Sequence, residues 1–205
     1  MEGWTMARSN MNGQLWIDQD RVEIVAVTEQ KIDSDGVYTG TIFTPDFTRQ
    51  ELQAYQKEML KIGGILQEEG YKGICGIDSI VSTQGELYPL IEINARLTQV
   101  TYLLPLVLKL TNHEPHVFYV ESVQHSFSLD RELSFPELLD LLSDTVKTDD
   151  QNKLFVNTFA AHNSVKTGRW RYRVQVLFYG KERTKVKAMI QTFHSFVVHG
   201  VENVG

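Results

Sequence analysis

A single cysteine, Cys75, stands among 205 residues, so no internal disulfide can form. A reducing, cytoplasmic setting is expected. No stretch resembles the run of about 20 apolar residues that a membrane helix needs. The apolar segment "YLLPLVLKL" at 102–110 is far shorter, and Pro105 and Lys109 interrupt it. Positive charge is also scarce, with 20 Lys and Arg against 26 Asp and Glu for a net charge of −6. With no long basic run to offset that balance, nonspecific binding to nucleic acid or to acidic membranes is not expected. The opening "MEGWTMARSN" lacks the basic-then-apolar order of a secretory leader. No internal repeat, low-complexity tract or glycine-rich phosphate loop is found. The histidines His113, His116, His125, His162, His194 and His199 have no helical metal-ligand spacing.

What remains is a chain of 42% hydrophobic residues, enough to bury one core or two small ones. Residues 13–32 suggest two strands around a polar "DQD" turn, so structure begins almost at the first residue. The chain therefore looks like a piece of something longer. A strand at 37–45 precedes Thr48, a plausible N-cap, and a helix in which Leu52, Tyr55, Met59, Ile62 and Leu66 recur at three- or four-residue spacing until Gly70. A hairpin at 74–94, a helix at 100–110 and a strand at 116–123 follow. The tail suggests a helix at 134–146, strands at 153–162 and 169–180, and a helix at 182–198. The expected fold is α+β, an antiparallel sheet with packed helices over residues 1–120, followed by a small α/β extension over 121–205.

The hairpin "GIDSIVSTQGELYPLIEINARLTQ" at 76–99 sets acids within apolar strands. Side chains alternate along a strand, so Glu92 and Asn94 share one face while Ile91 and Ile93 take the other. Asp78 joins them if it lies opposite Glu92, a register that makes Gln84 to Glu86 a three-residue loop with Gly85 supplying a positive φ. Two accounts fit such a row of oxygen donors. One is the solvated face of a half-exposed sheet. The other is a hard divalent cation, most simply Mg²⁺ shared with phosphates, with the guanidinium of Arg96 alongside. Cys75 is out of phase with Asp78 and reads as a small buried hydrophobe. In "GRWRYRV" at 168–174, arginines interleave with Trp170 and Tyr172, a pattern that could stack nucleobases but better suits a strand with one basic exposed face.

The longer segment "GYKGICGIDSIVSTQGELYPLIEINARLTQ" at 70–99 resembles the C-terminal part of ATP-grasp ligases, through its Gly-Tyr-x-Gly, Gly-x-Asp and Glu-x-Asn-x-Arg elements. The resemblance covers roughly residues 1–115. It implies that Asp78, Glu92 and Asn94 ligate Mg²⁺, or Mn²⁺ in its place, and that Arg96 is a catalytic contact to phosphate or acyl phosphate. It also makes "MEGWTM" similar to an adenine hinge, with Glu2 a candidate nucleotide contact, and puts Gln30 near the phosphates or substrate. ATP and Mg²⁺ would be the cofactors, and a small-molecule carboxylate and amine the substrates. The phosphate-covering glycine loop and its lysines have no counterpart here. The resemblance thus implies the C-terminal half of a carboxylate-amine ligase, inactive without an N-terminal ATP-grasp lobe as partner. A noncatalytic interaction or regulatory module with the same ancestry is the alternative, and self-association stays open.

Overall fold

The computed structural model describes residues 6–164 and 168–200, without the side chains of 199 and 200. Glu2 and the residues around it lie outside that range. The chain forms two compact units, the first ending at His113 and the second beginning at Glu114. The break precedes the boundary at 120/121 expected from the sequence.

In the first unit, β1 (Ala7–Ile17), β2 (Val22–Ile32), β3 (Tyr38–Ile42), β4 (Gly73–Ser82) and β5 (Leu87–Asn94) form an antiparallel array in the order β5-β4-β1-β2-β3. Helix α1 (Arg49–Glu68) covers one face. It starts in a capping box, in which Thr48 Oγ1 accepts from the Glu51 amide at 3.2 Å and Glu51 Oε2 accepts from the Thr48 amide at 2.9 Å. It stops at Gly70, whose φ of 86° lets the Tyr71 amide reach back to the Leu66 carbonyl.

The apolar stripe of α1 buries Tyr55 and Met59 against Met11, Leu15, Ile17, Cys75, Ile77 and Val81, and Tyr55 Oη donates to the Ile77 carbonyl at 2.8 Å. Burial raises the Cys75 thiol pKa, consistent with an inert core residue on the helix side. Because Cys75 and Ile77 face α1, Gly76 and Asp78 face the other way. Helix α2 (Gln99–Leu110) begins on the chain leaving β5.

The β4–β5 hairpin departs from simple pairing in one respect. Asp78 is opposite Glu92, the register on which its sharing a face with Glu92 and Asn94 depends, but beyond it Ile80 pairs with Tyr88 and Val81 with Leu87. Opposite Ser79, β5 has three residues, 89–91, beginning with Pro89, which has no amide hydrogen for the ladder, and Ser79 Oγ donates to the Pro89 carbonyl at 2.7 Å. The tip consequently moves one residue earlier than expected. Ser82 pairs with Glu86 around Thr83, Gln84 and Gly85, with Gly85 at φ 85°.

The second unit contains β6 (Tyr119–Leu129), α3 (Phe135–Thr145), β7 (Asn152–Asn163), β8 (Trp170–Gly180) and α4 (Arg183–Ser195). Its strands are antiparallel in the order β6-β8-β7. Val186, Met189, Ile190 and Phe193 of α4 are buried, as are Tyr172, Val174, Val176 and Phe178 of β8. Phe193 packs on Phe178 with ring centroids 5.5 Å apart. Among the described residues, no helix is long and apolar enough to cross a membrane.

Candidate functional site

The face of the first unit opposite α1 carries a polar row that crosses three strands. Asn12 of β1 pairs with Asp78 of β4, which pairs with Glu92 of β5. One step along, Gln14 pairs with Gly76, and Gly76 with Asn94. These positions share a face because opposed residues in antiparallel strands do.

Asp78 is the hub. Its Oδ1 accepts from Asn12 Nδ2 at 2.5 Å and from Gln30 Nε2 at 3.0 Å, and its Oδ2 accepts from Asn94 Nδ2 at 3.1 Å. Behind Asn12, Gln14 Nε2 donates to Asn12 Oδ1 at 2.8 Å. Gln14 Oε1 in turn accepts from Thr98 Oγ1 at 3.1 Å and Thr101 Oγ1 at 2.9 Å, at the start of α2. Asn12 and Gln14 are 2% and 0% exposed, so this chain of amides is an interior network whose members need one another. Arg96 Nη2 donates to Asn94 Oδ1 at 3.0 Å, extending it to the surface.

Gly76 makes room for the network. A Cβ there would lie 2.9 Å from Thr98 Cγ2 and 3.0 Å from Gln14 Nε2, closer than side chains pack. The glycine of the Gly-x-Asp pattern is thus required by close approach and not by backbone angle.

Burial raises the pKa of Asp78, and the charge of Glu92 raises it further, against the lowering effects of the Asn12 and Gln30 hydrogen bonds. No described cation pairs with Asp78 or Glu92, and the groups that hold Asp78 are neutral amides. Two like charges side by side, one partly desolvated, favour a bound cation. Among the described residues no three His, Cys, Asp or Glu side chains cluster as a metal cage. Mg²⁺ does not need one, since it is commonly held by one or two carboxylates, with phosphates and waters completing the octahedron. Asp78, Glu92 and the Asn94 carbonyl fit that donor set, provided Asn94 Oδ1 exchanges its bond from Arg96 for the ion. The residues border an open depression of about 330 Å³ that Tyr38, Thr41, Thr98 and Gln99 also line.

No protein-family model matches the sequence. The butirosin acyl-carrier protein–L-glutamate ligase of Niallia circulans is 44% identical over 147 residues, covering 72% of this chain and 34% of that protein. Of the solved structures, the ADP complex of an N5-carboxyaminoimidazole ribonucleotide synthetase has a TM-score of 0.60 at 12% identity, covering 94% of this chain and 50% of that one. An L-amino acid ligase from Bacillus licheniformis has a TM-score of 0.57 at 11% identity, covering 92% and 53%.

The chain belongs to the ATP-grasp ligase superfamily. It spans about a third of the length of its curated ATP-grasp relative and about half of the solved ATP-grasp chains.

Of the residues singled out in the sequence, Gln30, Asp78, Glu92, Asn94 and Arg96 border one depression of this ATP-grasp chain. Glu2 lies outside the described residues. Asn12, Gln14 and Thr98 escaped sequence reasoning. A signal for two of them was present, since Asn10, Asn12 and Gln14 alternate with Met11 and Gly13, the same parity that exposed Glu92 and Asn94. Thr98 had none, because its place depends on how the chain turns between β5 and α2.

Proposed function

We propose that this chain is the Mg-ATP-binding part of a ligase that joins a carboxylate to an amine or another nucleophilic acceptor through an acyl phosphate. The observation that carries the proposal is the register that sets Asp78 opposite Glu92, with Asn94 on the same face. Folding alone gives no reason to place these donors together, and a degenerate module would be free to lose them. When bound, Mg²⁺ would neutralise phosphate charge and hold the reacting groups in line.

The chain's own residues supply the frame. Asp78, Glu92 and Asn94 would hold the ion, while Asn12, Gln14 and Gln30 fix the Asp78 carboxylate in one orientation. Arg96 is exposed and two residues from Asn94, so its fork can swing from Asn94 Oδ1 to a phosphoryl oxygen as negative charge develops there. No protein nucleophile takes part; Cys75 is buried on the opposite face. The substrate carboxylate attacks the γ-phosphorus, ADP leaves, and the acceptor then displaces phosphate from the acyl carbon.

A second lobe closes over the phosphates in this account. By likeness to the relative from Niallia circulans, an amino-acid carboxylate such as L-glutamate is the first substrate to test, with a carrier-protein-borne acceptor as the second. The test is calorimetric titration of the chain with Mg·ATP, then phosphate-release assays on a protein that joins it to its second lobe. Weak binding by the chain and turnover by the joined protein, abolished by Glu92→Gln, are expected. Unchanged turnover in Glu92→Gln refutes the site.

A further inference from the structure

The second unit holds a cluster that the ligase account does not use. Along β8, Tyr172, Val174 and Phe178 are buried on the side of α4, so Arg171 and Arg173 point to the opposite face. Arg173 lies between Ser126 of β6 and Ala160 of β7, and Arg171 between Ser128 and His162. Ser126, Ser128 and Ala160 are short, so both guanidiniums stand at an open depression of about 460 Å³. Its lining holds no carboxylate, although the chain has 26 acids.

Both arginines are exposed, and neither hydrogen-bonds nor ion-pairs with a described residue. Arg8, Arg21, Arg131 and Arg169, in contrast, each pair with an acid. Residues two apart on a strand are about 7 Å from one another, so two unpartnered cations repel here with no gain to folding. What the arrangement offers is two planar five-donor forks, flanked by two hydroxyls and an imidazole, which suits a tetrahedral oxyanion.

A nucleic-acid strand does not fit. Binding it would call for exposed aromatic rings beside the arginines on which bases stack, but Tyr172, although it borders the depression, is 2% exposed, with its ring stacked on that of Phe127 at 5.2 Å. We propose that Arg171 and Arg173, with Ser126, Ser128 and His162, bind the phosphate group of a soluble phosphate ester. This site lies in the second unit and stands whether or not the ligase proposal holds.

The test is nuclear magnetic resonance titration of the isotope-labelled chain with sodium phosphate and with glycerol 3-phosphate, at ionic strength held constant with sodium chloride. Saturable shifts of the Ser126, Ser128, Arg171 and Arg173 amides are expected, with a dissociation constant on the order of millimolar. In Arg171→Gln/Arg173→Gln, affinity at these amides should fall by about tenfold or more. Because both side chains are exposed, circular dichroism should be unchanged. Shifts confined to the Asp78 depression, shifts that persist in the double variant, or their absence would overturn the proposal. So would co-sedimentation with phosphatidylglycerol vesicles, but not phosphatidylcholine vesicles, without binding of either soluble ion.

Discussion

Thr98 Oγ1 donates to Gln14 Oε1 at 3.1 Å, joining residues 84 apart in the chain and tying the start of α2 to the amides that hold Asp78. Gln14→Leu removes this junction while keeping its volume. Thr98, Thr101 and Asn12 then each lose a partner in the interior, at a cost of about 1–3 kcal/mol. Urea unfolding of the variant should show that loss, and a Mg²⁺ titration should show weaker binding, because Asp78 is no longer held in place. Normal Mg²⁺ affinity in a destabilised Gln14→Leu would mean the network serves folding alone.

Gly76→Ala puts a methyl group 2.9 Å from Thr98 Cγ2 and 3.0 Å from Gln14 Nε2. Strain of about 1–3 kcal/mol is expected. The control is Gly64→Ala, where a Cβ meets nothing within 4 Å and the helix gains propensity. Thermal melts should rank Gly64→Ala above the parent and Gly76→Ala below it.

The raised pKa of Asp78 has a consequence for pH. Its carboxyl holds its proton more tightly in the folded chain than in the unfolded one, because of burial and then the charge of Glu92. The stability this contributes is complete below the unfolded value of 3.8 and is lost as pH rises through the higher folded value. Asp78→Asn removes this titration but leaves a donor among Asn12, Gln30 and Asn94 without its acceptor, so without divalent cations the pH dependence of its melting temperature above 3.8 should flatten relative to the parent. Addition of Mg²⁺ should raise the melting temperature of the parent alone. A metal-dependent rise of equal size in Asp78→Asn would remove Asp78 from the site.

In the second unit, burial and then the neighbouring His194 lower the His125 pKa from 6.5 to about 4. Their rings meet edge to face with centroids 4.5 Å apart, and Phe193 packs beside them. A lowered histidine pKa costs nothing above the unfolded value and costs stability as pH falls from 6.5 toward 4, by about 1–2 kcal/mol after solvent screening. Circular dichroism melts across that range should show the loss. His125→Gln should flatten it, and an unaltered slope would place the titration elsewhere.

Periodicity and turn chemistry account for what was legible from sequence. The stripe of Tyr55 and Met59, the Thr48 cap and the Gly70 stop are local signals, and α1 follows them. Parity along 76–94 placed Glu92 and Asn94 on one face before any pairing was known, because strand alternation is geometric, whereas Asp78 joins them only through the register that sets it opposite Glu92. The bulge around Pro89 was less accessible, since the missing amide hydrogen is visible in sequence but the number of residues it displaces is set by Ser79 across the ladder. The network through Gln14 and Thr98 depends on a contact across 84 residues, which no local pattern encodes. The pairing of His125 with His194 is similarly invisible, because the two lie 69 residues apart in the chain on different elements, β6 and α4.

The most direct test of the central claim is an electron paramagnetic resonance titration with Mn²⁺ in the presence of ATP, comparing the parent chain with Glu92→Gln and Asp78→Asn. If these carboxylates hold the nucleotide's metal, each substitution should weaken Mn·ATP binding by about tenfold or more, at least 1.4 kcal/mol. Glu92→Gln, at an exposed position, should not lower the metal-free unfolding midpoint. Parent-like Mn·ATP affinity in both variants would contradict the assignment.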